Sequence, residues 1–443
     1  MVNHSRITAK MAIGVLLVTL LSLAVVVTGQ ASNTDYRIEG KLNEDKRIIS
    51  GSETIKFTNS LDQAVSEIVL TLEGNLLKKP NPYISKVNQD ENYPTGFDSG
   101  WTEVSEIKGP DGGELDYSLE NLPPALQKYS LENTLLKVDL DNRLKPGERT
   151  SISLDFSTKF PKKKAGDKEF FRGVYTWRFG WYPTLTPAKW WKGYDREVYS
   201  SKVLPIADYD VELDVPRDFQ GAGTNISKEN SDGDGDRKLL KLQLNEARSA
   251  PFVGSSNYKK HREEFKKYNI EILHFPGYQE EARVLASYAN EILQFYSRRY
   301  GSYKRQKLTF AQNPVSGLFG MAADGVISLG NSFFAEKDLA LSTVTDRLAE
   351  YLVAHEIAHQ WFGIGVGANL NSQNWISEAF CEFLALRYFH NKYPEHEPNL
   401  FRFERDGIIR NAIESQLGYI NLRAHTFELP YILSFQKGFD EAI

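Results

Sequence analysis

The chain has almost no cysteine and no excess of basic charge. Cys381 is the single cysteine among 443 residues, so an internal disulfide is excluded. The formal net charge is −5, and basic runs such as residues 162–164 are short and have acidic neighbours. Such runs are typical of solvated faces, so the sequence does not indicate a nucleic-acid partner. Internal repeats and low-complexity tracts are also missing.

The chain does contain enough apolar sequence for more than one core. Hydrophobic residues make up 41% of the chain and aromatic residues 12%, and the length predicts two or three domains. Cys381 lies in a predicted helix, where we expect it to pack as a small buried residue.

The longest uncharged run lies at the N-terminus, where Arg6 and Lys10 precede residues 11–31. This run is long for a signal-peptide core and just long enough to span a bilayer. Residues 1–31 are therefore predicted to be a signal peptide or a membrane anchor, and the length favours the anchor. The basic flank keeps the N-terminus inside, so both alternatives put the rest of the chain outside the cytoplasm, at the cell membrane or secreted.

Residues 32–257 are rich in strand signals. Residues 48–59 alternate partly between apolar and polar side chains, and residues 67–72 form a second short apolar run. Turn signals recur at residues 110–113, 145–147 and 231–236. The last of these lacks the glycine and the glutamate of a calcium-binding loop, so it indicates a hairpin turn. An all-β, sandwich-like domain is predicted, and its aromatic-rich stretch, residues 170–191, is typical of core and interdomain packing.

The pattern changes near Tyr268, and residues 258–443 are predicted to form an α+β domain. A strand at residues 270–275 leads into a long amphipathic helix that ends near Tyr300. A second strand follows at residues 307–311. The predicted fold is therefore multidomain, with an all-β N-terminal domain followed by an α+β domain.

The main chemical motif is a pair of histidines four residues apart. His355 and His359 lie on one face of a predicted helix, so both imidazoles can reach one zinc ion. Glu356 follows the first histidine and can reach a water on the metal rather than the metal itself. Glu378 follows His359 with eighteen residues between them. Two histidines and one glutamate leave the fourth zinc position open, which is typical of catalytic zinc.

The sequence around the motif supports two helices. The first has a face at helical spacing, made of Leu348, Tyr351, Leu352, His355, His359 and Phe362. Gly363 is expected to end it. The second covers residues 374–384 and places Glu382 one turn beyond Glu378. Glu382 either accepts the free N–H of a ligating histidine or is a solvated surface charge, and both alternatives are open.

Residues 355–363 and 375–380, which read HEIAHQWFG and WISEAF, resemble the gluzincin metallopeptidases of the membrane alanyl aminopeptidase family. That family also has eighteen residues between the second histidine and the third ligand. The resemblance extends from Tyr36 to the last residue, and it is weak in the first half and strong after Tyr268.

The resemblance implies one zinc ion per chain, held by His355, His359 and Glu378, with Glu356 as the general base. It implies a peptide or protein substrate. It also implies that the β domain is saddle-shaped and that the zinc domain is thermolysin-like.

One departure from the family concerns the amine of the substrate. Gly320 and Met321 resemble the start of the family's edge strand, where a glutamate after the methionine binds the substrate's α-ammonium group. Here that position is Ala322. Asp324 lies two residues on, with its side chain on the same face if the strand is regular. These four residues are substrate-binding candidates, and the missing carboxylate predicts weakened specificity for aminopeptidase substrates.

A second departure is Phe435, which stands where the family has a tyrosine whose hydroxyl stabilises the oxyanion. Tyr431 lies four residues earlier and is the candidate replacement for this donor. The chain ends at Ile443, where relatives continue into a helical domain. The sequence is therefore expected to be that of a shortened protein or of a fragment.

Together these patterns predict an extracytoplasmic zinc metallopeptidase with aminopeptidase-like chemistry. One alternative is a zinc-retaining, catalytically impaired pseudo-peptidase that binds peptides or acts as a scaffold. Ala322 and Phe435 favour this alternative, whereas the intact Glu356 argues against it. Another is an endopeptidase or other hydrolase that no longer needs the amine anchor. The sequence leaves the side-chain preference and the oligomeric state open.

Overall fold

The structure is a computed structural model that describes residues 34–80, 86–121, 133–164, 168–192, 204–222, 237–315, 320–334, 342–367 and 374–394. Within these ranges the chain is mostly β-sheet with few helices. The sheets fall into an N-terminal part, residues 34–255, and a C-terminal part, residues 259–394. Among the helices of these ranges, none is both long and apolar enough to cross a membrane. The predicted leader lies outside the described residues, as does the turn signal at residues 231–236.

In its described residues, the N-terminal part contains three sheets, two short 3-10 helices and one short α-helix, α1 (Lys86–Asn92). Its strands are β1 (Thr34–Asn43), β2 (Ile48–Thr58), β3 (Val65–Thr71), β4 (Trp101–Lys108), β5 (Tyr117–Glu120), β6 (Leu135–Leu144), β7 (Arg149–Lys159), β8 (Lys168–Phe171), β9 (Val174–Trp177), β10 (Thr184–Leu185), β11 (Ala207–Pro216), β12 (Gln220–Ala222), β13 (Arg237–Ala247) and β14 (Phe252–Ser255). One six-stranded sheet has the order β13-β11-β1-β2-β7-β4, and two four-stranded sheets have the orders β10-β3-β6-β5 and β12-β14-β9-β8.

Alternation of buried and exposed side chains explains why these segments form strands. In β2, Ile49, Ile55 and Phe57 are buried, whereas Ser50 and Lys56 face solvent. Successive side chains of a strand point to opposite faces, so this pattern buries one face of the sheet against the core. The strands predicted at residues 48–59 and 67–72 are confirmed as β2 and β3.

The aromatic-rich stretch packs inside this core. Trp177, Trp181 and Tyr182 are at most 1% exposed. Phe160 lies edge-on to Trp177, with ring centroids 4.9 Å apart. Edge-to-face aromatic pairs add to the stabilisation that burial provides. The prediction of core packing for this stretch is confirmed.

One carboxyl group is buried in the same core. Glu53 is 1% exposed, and among the described residues neither of its side-chain oxygens has a hydrogen-bond partner. Because burial penalises the charged form, the pKa of Glu53 is raised well above its usual value.

The C-terminal part consists of a five-stranded sheet covered by helices. Its elements are β15 (Lys259–Glu264), β16 (Asn269–His274), α2 (Gln279–Tyr300), β17 (Lys307–Asn313), β18 (Gly320–Ala323), β19 (Val326–Gly330), α3 (Ser342–Ala358), β20 (Phe362–Gly363), β21 (Val366–Gly367) and α4 (Asn374–Lys392). The sheet order is β15-β16-β17-β19-β18, and the edge strand β18 runs antiparallel to β19. The strands and the long helix predicted up to residue 311 are confirmed.

The faces of this sheet pack against different partners. Ile272, Phe310 and Ile327 face the helices and share a core with them. On the opposite face, Ala311 and Val326 share a smaller cluster with residues of the N-terminal part. The sheet is therefore sandwiched between the helices and the N-terminal part. The predicted domain boundary between residues 257 and 258 falls just before β15 and stays a prediction.

Helix α3 ends earlier than the sequence suggests. Its last helical residue is Ala358, not a residue next to Gly363. Gln360 and Trp361 donate their N–H groups to carbonyls three residues back, which tightens the chain into turns. Gly363 has a φ of +96° and lies in the short strand β20. His359 therefore follows the last helical residue instead of lying inside the helix.

Candidate metal centre

The end of helix α3 and the residue that follows it present His355 and His359 to Glu378 on helix α4. The Nε2 atom of His355 lies 3.3 Å from Oε2 of Glu378, and the Nε2 atom of His359 lies 3.6 Å from the same oxygen. Donor atoms of the three residues all lie within 4.8 Å of one another. Ala354, Ile357 and Ala358 are fully buried behind the histidines and fix that face of the helix.

This donor set fits zinc. Tetrahedral zinc with bonds of about 2.0–2.1 Å to nitrogen and oxygen requires ligand atoms to be about 3.3–3.4 Å apart. The separations of 3.3 and 3.6 Å from Glu378 to the two histidines are close to that edge length. Two imidazoles and one carboxylate also match the composition of catalytic zinc sites.

The outward-facing nitrogens of both histidines have partners. The Nδ1 atom of His355 lies 3.0 Å from Oε2 of Glu382, whose other oxygen accepts the hydroxyl of Tyr351. The Nδ1 atom of His359 lies 3.3 Å from the carbonyl oxygen of Phe362 and 3.2 Å from Oγ of Ser377. A proton held at Nδ1 leaves the Nε2 lone pair free for a metal. Glu382 is thus placed where a supporting carboxylate would be, and that role stays a prediction.

Sequence reasoning missed the partners of His359. Ser377 comes directly before Glu378, the third predicted ligand. Cys381 is fully buried one helical turn beyond Ser377, with its Sγ 3.2 Å from Nδ1 of His359. The expectation of a small buried cysteine is confirmed. The spacing of Ser377 and Cys381 places them on one face of α4, but the spacing does not identify His359 as the group that they contact.

Two of the converging residues, His355 and Glu378, carry complementary charges. Burial raises the pKa of Glu378, but hydrogen bonds from the two histidines outweigh burial and hold that pKa well below its usual value. Burial lowers the pKa of His355, but Glu378 and Glu382 outweigh it and raise that pKa well above the usual value. Glu378 is therefore ionised, as a carboxylate ligand must be.

Glu356 lies beside the three converging residues but does not belong to their donor set. Its carboxylate contacts the edge strand, because a Cβ built on Gly320 would lie only 2.2 Å from its Oε1 atom. The pKa of Glu356 is raised by burial, although His359 and His355 oppose the shift. A carboxylate with a raised pKa next to a metal site is suited to proton transfer near neutral pH. The role of general base stays a prediction.

The edge strand places its residues on two faces. Ala322 is 2% exposed and packs in the core shared with the helices, on the same face as Gly320. Met321 is buried and pairs across the hairpin with Ser328. The position predicted to match the family's amine-binding glutamate therefore carries a buried methyl group.

Asp324 does not provide the missing carboxylate in this geometry. Strand β18 ends at Ala323, so Asp324 lies in the hairpin turn and the condition of a regular strand is not met. The Asp324 carboxylate is 3% exposed, and Arg305 binds one of its oxygens with Nη2 at 2.7 Å. The backbone N–H of Arg248 donates to the other oxygen at 2.8 Å. Asp324 is thus already engaged, and this geometry does not support a substrate-binding role for it.

The candidate oxyanion donor Tyr431 and the substituted position Phe435 both lie outside the described residues. Their placement relative to the metal centre stays a prediction.

A buried polar cluster joins helices α3 and α4, beside the three converging residues. Glu350 on α3 is 1% exposed and accepts hydrogen bonds from Tyr388, Lys392 and Tyr393 at the end of α4. Lys392 also pairs with Glu291 on α2. Breaking such a buried network leaves charges without partners and is strongly destabilising. The cluster therefore fixes the distance between α3 and α4, on which the convergence of His355 and His359 with Glu378 depends.

Residues 286–428 match the family model described as the peptidase family M1 domain. These residues are therefore similar to an M1 peptidase domain. The matched M1 range contains the edge strand and all four motif residues, from His355 to Glu378, whereas Tyr431 lies beyond its end. The resemblance to the gluzincin aminopeptidase family is confirmed.

Several relatives of this chain carry aminopeptidase names. Aminopeptidase 2 of Candida albicans is 22% identical over 354 residues, which are 78% of this chain and 36% of that relative. The puromycin-sensitive aminopeptidase of Caenorhabditis elegans is 23% identical over 304 residues, 66% of this chain and 30% of that relative. Probable aminopeptidase 1 of Sulfurisphaera tokodaii is 25% identical over 148 residues, 33% of this chain and 19% of that relative. The chain thus spans 19% to 36% of the length of these relatives.

Proposed function

We propose that the chain is a zinc-dependent metallopeptidase that hydrolyses peptide bonds. The observation that carries the proposal is the convergence of His355, His359 and Glu378, with the carboxylate of Glu356 beside them. The M1 match and the names of the relatives support a peptidase over other zinc hydrolases.

The residues of the site divide the chemistry between them. A zinc ion held by the three converging side chains would supply Lewis-acid chemistry, polarising the scissile carbonyl and making water more acidic. Glu356 takes the proton from the attacking water and passes it to the leaving amine. Glu382 holds the proton at Nδ1 of His355, so that Nε2 stays directed at the metal.

The finer architecture and the location of the chain belong to the same proposal. The N-terminal part would form the saddle-shaped β domain of the family, and the C-terminal part its thermolysin-like zinc domain. The leader would place both outside the cytoplasm, held at the membrane or secreted. Protease added to intact cells should then digest the chain, and protection until lysis would contradict this location.

The edge strand bears on the choice of substrate. The relatives are named aminopeptidases, but at the position of the family's amine-binding glutamate this chain has the buried methyl group of Ala322. Asp324 is engaged by Arg305. A substrate ammonium entering here would lose hydration without a fixed anionic partner on this strand. The enzyme should therefore discriminate little between peptides with free and with blocked N-termini.

Ala322 at the position of the family's glutamate also favours a second candidate, a zinc-retaining pseudo-peptidase that binds peptides without turnover. This candidate shares the metal centre and differs in activity alone. The intact Glu356 argues against it, because a purely structural zinc site has no use for a base at this position.

Zinc content and peptide turnover together test both candidates. The purified chain should carry about one zinc ion, as metallopeptidases with one catalytic site do, and His359→Ala should lose it. Glu356→Gln should keep the zinc and abolish hydrolysis of a peptide library with free and acetylated N-termini. Equal zinc content in wild type and His359→Ala would refute the metal site. Bound zinc without turnover in the wild type would select the pseudo-peptidase.

A further inference from the structure

Arg248 joins the N-terminal part to the loop that follows helix α3. Its Nε donates to the carbonyl oxygen of Ile364 at 2.6 Å, and its Nη1 donates to that of Leu204 at 2.7 Å. Its Nη2 lies 3.5 Å from the carbonyl oxygen of Gly365. The guanidinium thus spans three backbone carbonyls, which its planar fork of donors permits and the single ammonium of lysine does not.

The loop that Arg248 holds, residues 359–367, is fastened to the metal ligand His359. The N–H of Ile364 donates to the carbonyl oxygen of His359 at 3.3 Å. The carbonyl oxygen of Phe362 lies 3.3 Å from Nδ1 of the same histidine. The strands β20 and β21 pair within the loop. Because the loop is closed by its own hydrogen bonds, a displacement at Ile364 is transmitted to His359.

The backbone of Arg248 is anchored on its other side by Asp324. Its N–H donates to Oδ2 of this buried carboxylate at 2.8 Å. Arg305 binds the remaining oxygen with Nη2 at 2.7 Å and Nε at 3.2 Å, and it also donates to the carbonyl of Glu246 at 3.1 Å. The backbone of Arg248 is therefore held in place, and its side chain extends from there to the loop.

A glycine makes room for this contact. A Cβ built on Gly367 would lie 2.5 Å from Cζ of Arg248 and 2.6 Å from its Nη2. Both distances are far below van der Waals contact, so a side chain at this position would push the guanidinium off the loop. Gly367→Ala can therefore disturb the contact without removing a hydrogen-bond donor.

We propose that Arg248 is a positioning residue for His359, acting through the 359–367 loop. The inference rests on the proposed metal function. Without the Arg248 guanidinium, the carbonyls of Ile364 and Gly365 lose this donor. The loop then no longer holds the carbonyl oxygen of Phe362 against the imidazole of His359. Loss of an outer partner of a metal-binding histidine typically weakens metal binding by about 10–100-fold. Since Arg248 acts one step further out, we expect a loss of about tenfold.

The test measures the dissociation constant for Zn²⁺ by competition of the full chain with a chelating indicator. The variants are R248A, R248K and G367A, with R237A as the matched control. Arg237 also has a partly buried guanidinium with several acceptors: its Nε lies 2.6 Å from Oδ1 of Asp214 and its Nη2 lies 2.9 Å from the carbonyl oxygen of Leu42. Unlike Arg248, Arg237 makes these contacts within the six-stranded sheet. The first three variants should bind zinc about tenfold more weakly, and R237A should bind it as the wild type does.

The outcomes separate this inference from the function on which it rests. Wild-type zinc affinity in both R248A and G367A would overturn it. An equal loss in R237A would also overturn it, because general destabilisation of the N-terminal part would then suffice. If R248A does not fold by circular dichroism, G367A decides. A wild type that binds no zinc refutes the metal function itself.

Discussion

Gly320 lies where the edge strand β18 meets the proposed base, and it offers a sharp test of the position of that base. A Cβ at Gly320 would lie 2.2 Å from Oε1 of Glu356, 2.6 Å from its Cδ and 2.8 Å from its Cγ. Ordinary contact begins at 3.4 Å, so Gly320→Ala must displace the carboxylate by about 1.2 Å. Three atoms are too close, so rotation of the carboxylate alone cannot relieve the overlap.

The displacement is large enough to affect catalysis. A misplacement of about 1 Å can cost about 10²-fold in rate. We therefore predict that Gly320→Ala lowers kcat by about 10²-fold, which corresponds to about 2.7 kcal/mol. The zinc content should stay at the wild-type level, because Glu356 is not among the three converging donors.

The assay is turnover of one peptide substrate, with zinc content and circular dichroism recorded on the same samples. Gly113→Ala is the matched control, since a Cβ at that position meets no atom within 4 Å. Turnover of Gly320→Ala at the wild-type rate would show that the reaction does not depend on the carboxylate in this position. Loss of zinc in the same variant would contradict the proposal that Glu356 is the base and takes no part in holding the metal.

Three further changes test other parts of the chain. Glu382→Gln should weaken zinc binding about tenfold, as measured by competition with a chelator. The substitution removes the negative charge whose Oε2 atom lies 3.0 Å from Nδ1 of His355. Glu280→Gln, at an exposed position, is the control. Ala322→Glu should raise the ratio of turnover for free over N-acetylated peptides by roughly tenfold, since a charge-assisted hydrogen bond contributes about 1.5–3 kcal/mol; an unchanged ratio would count against the assigned position. Because burial raises the pKa of Glu53, the folded chain keeps a proton at pH values where the unfolded chain has released it. The free energy of unfolding should therefore fall as the pH rises above about 4.3, by at most about 1.4 kcal/mol per pH unit. Glu53→Gln should remove this fall in urea unfolding between pH 5 and 8, and identical slopes in both proteins would refute it.

The sequence predicted the features that depend on local periodicity. Alternation along β2 and the helical spacing along α2 follow from which side chains must be buried, and both elements are found where that spacing indicated. The convergence of His355 and His359 follows from the same geometry, because residues four apart at the end of a helix still face one side. Glu378 was predicted as the third ligand because its spacing from His359 matches that of the gluzincin aminopeptidase family. Periodicity alone did not require it.

Predictions that assumed a regular element failed where the element ended early. The same-face argument for Asp324 needed β18 to continue, but the strand ends at Ala323 and the chain turns. In a turn the direction of a side chain is set by the partners that surround it, and here those are Arg305 and the backbone of Arg248. Both arginines come from other parts of the chain, so no local pattern could reveal them.

Glu350 shows where the limit of sequence reasoning lies. It stands between Ala349 and Tyr351 on a helix whose neighbouring positions are buried, and a carboxylate at 1% exposure must find donors. The sequence therefore implies that partners exist. It cannot identify them, because Tyr388 and Lys392 are brought to Glu350 by the packing of α4 on α3 and not by spacing along either helix. The same packing sets the separation of the histidines from Glu378, so the geometry of the candidate metal centre depends on contacts that become visible only in the folded chain.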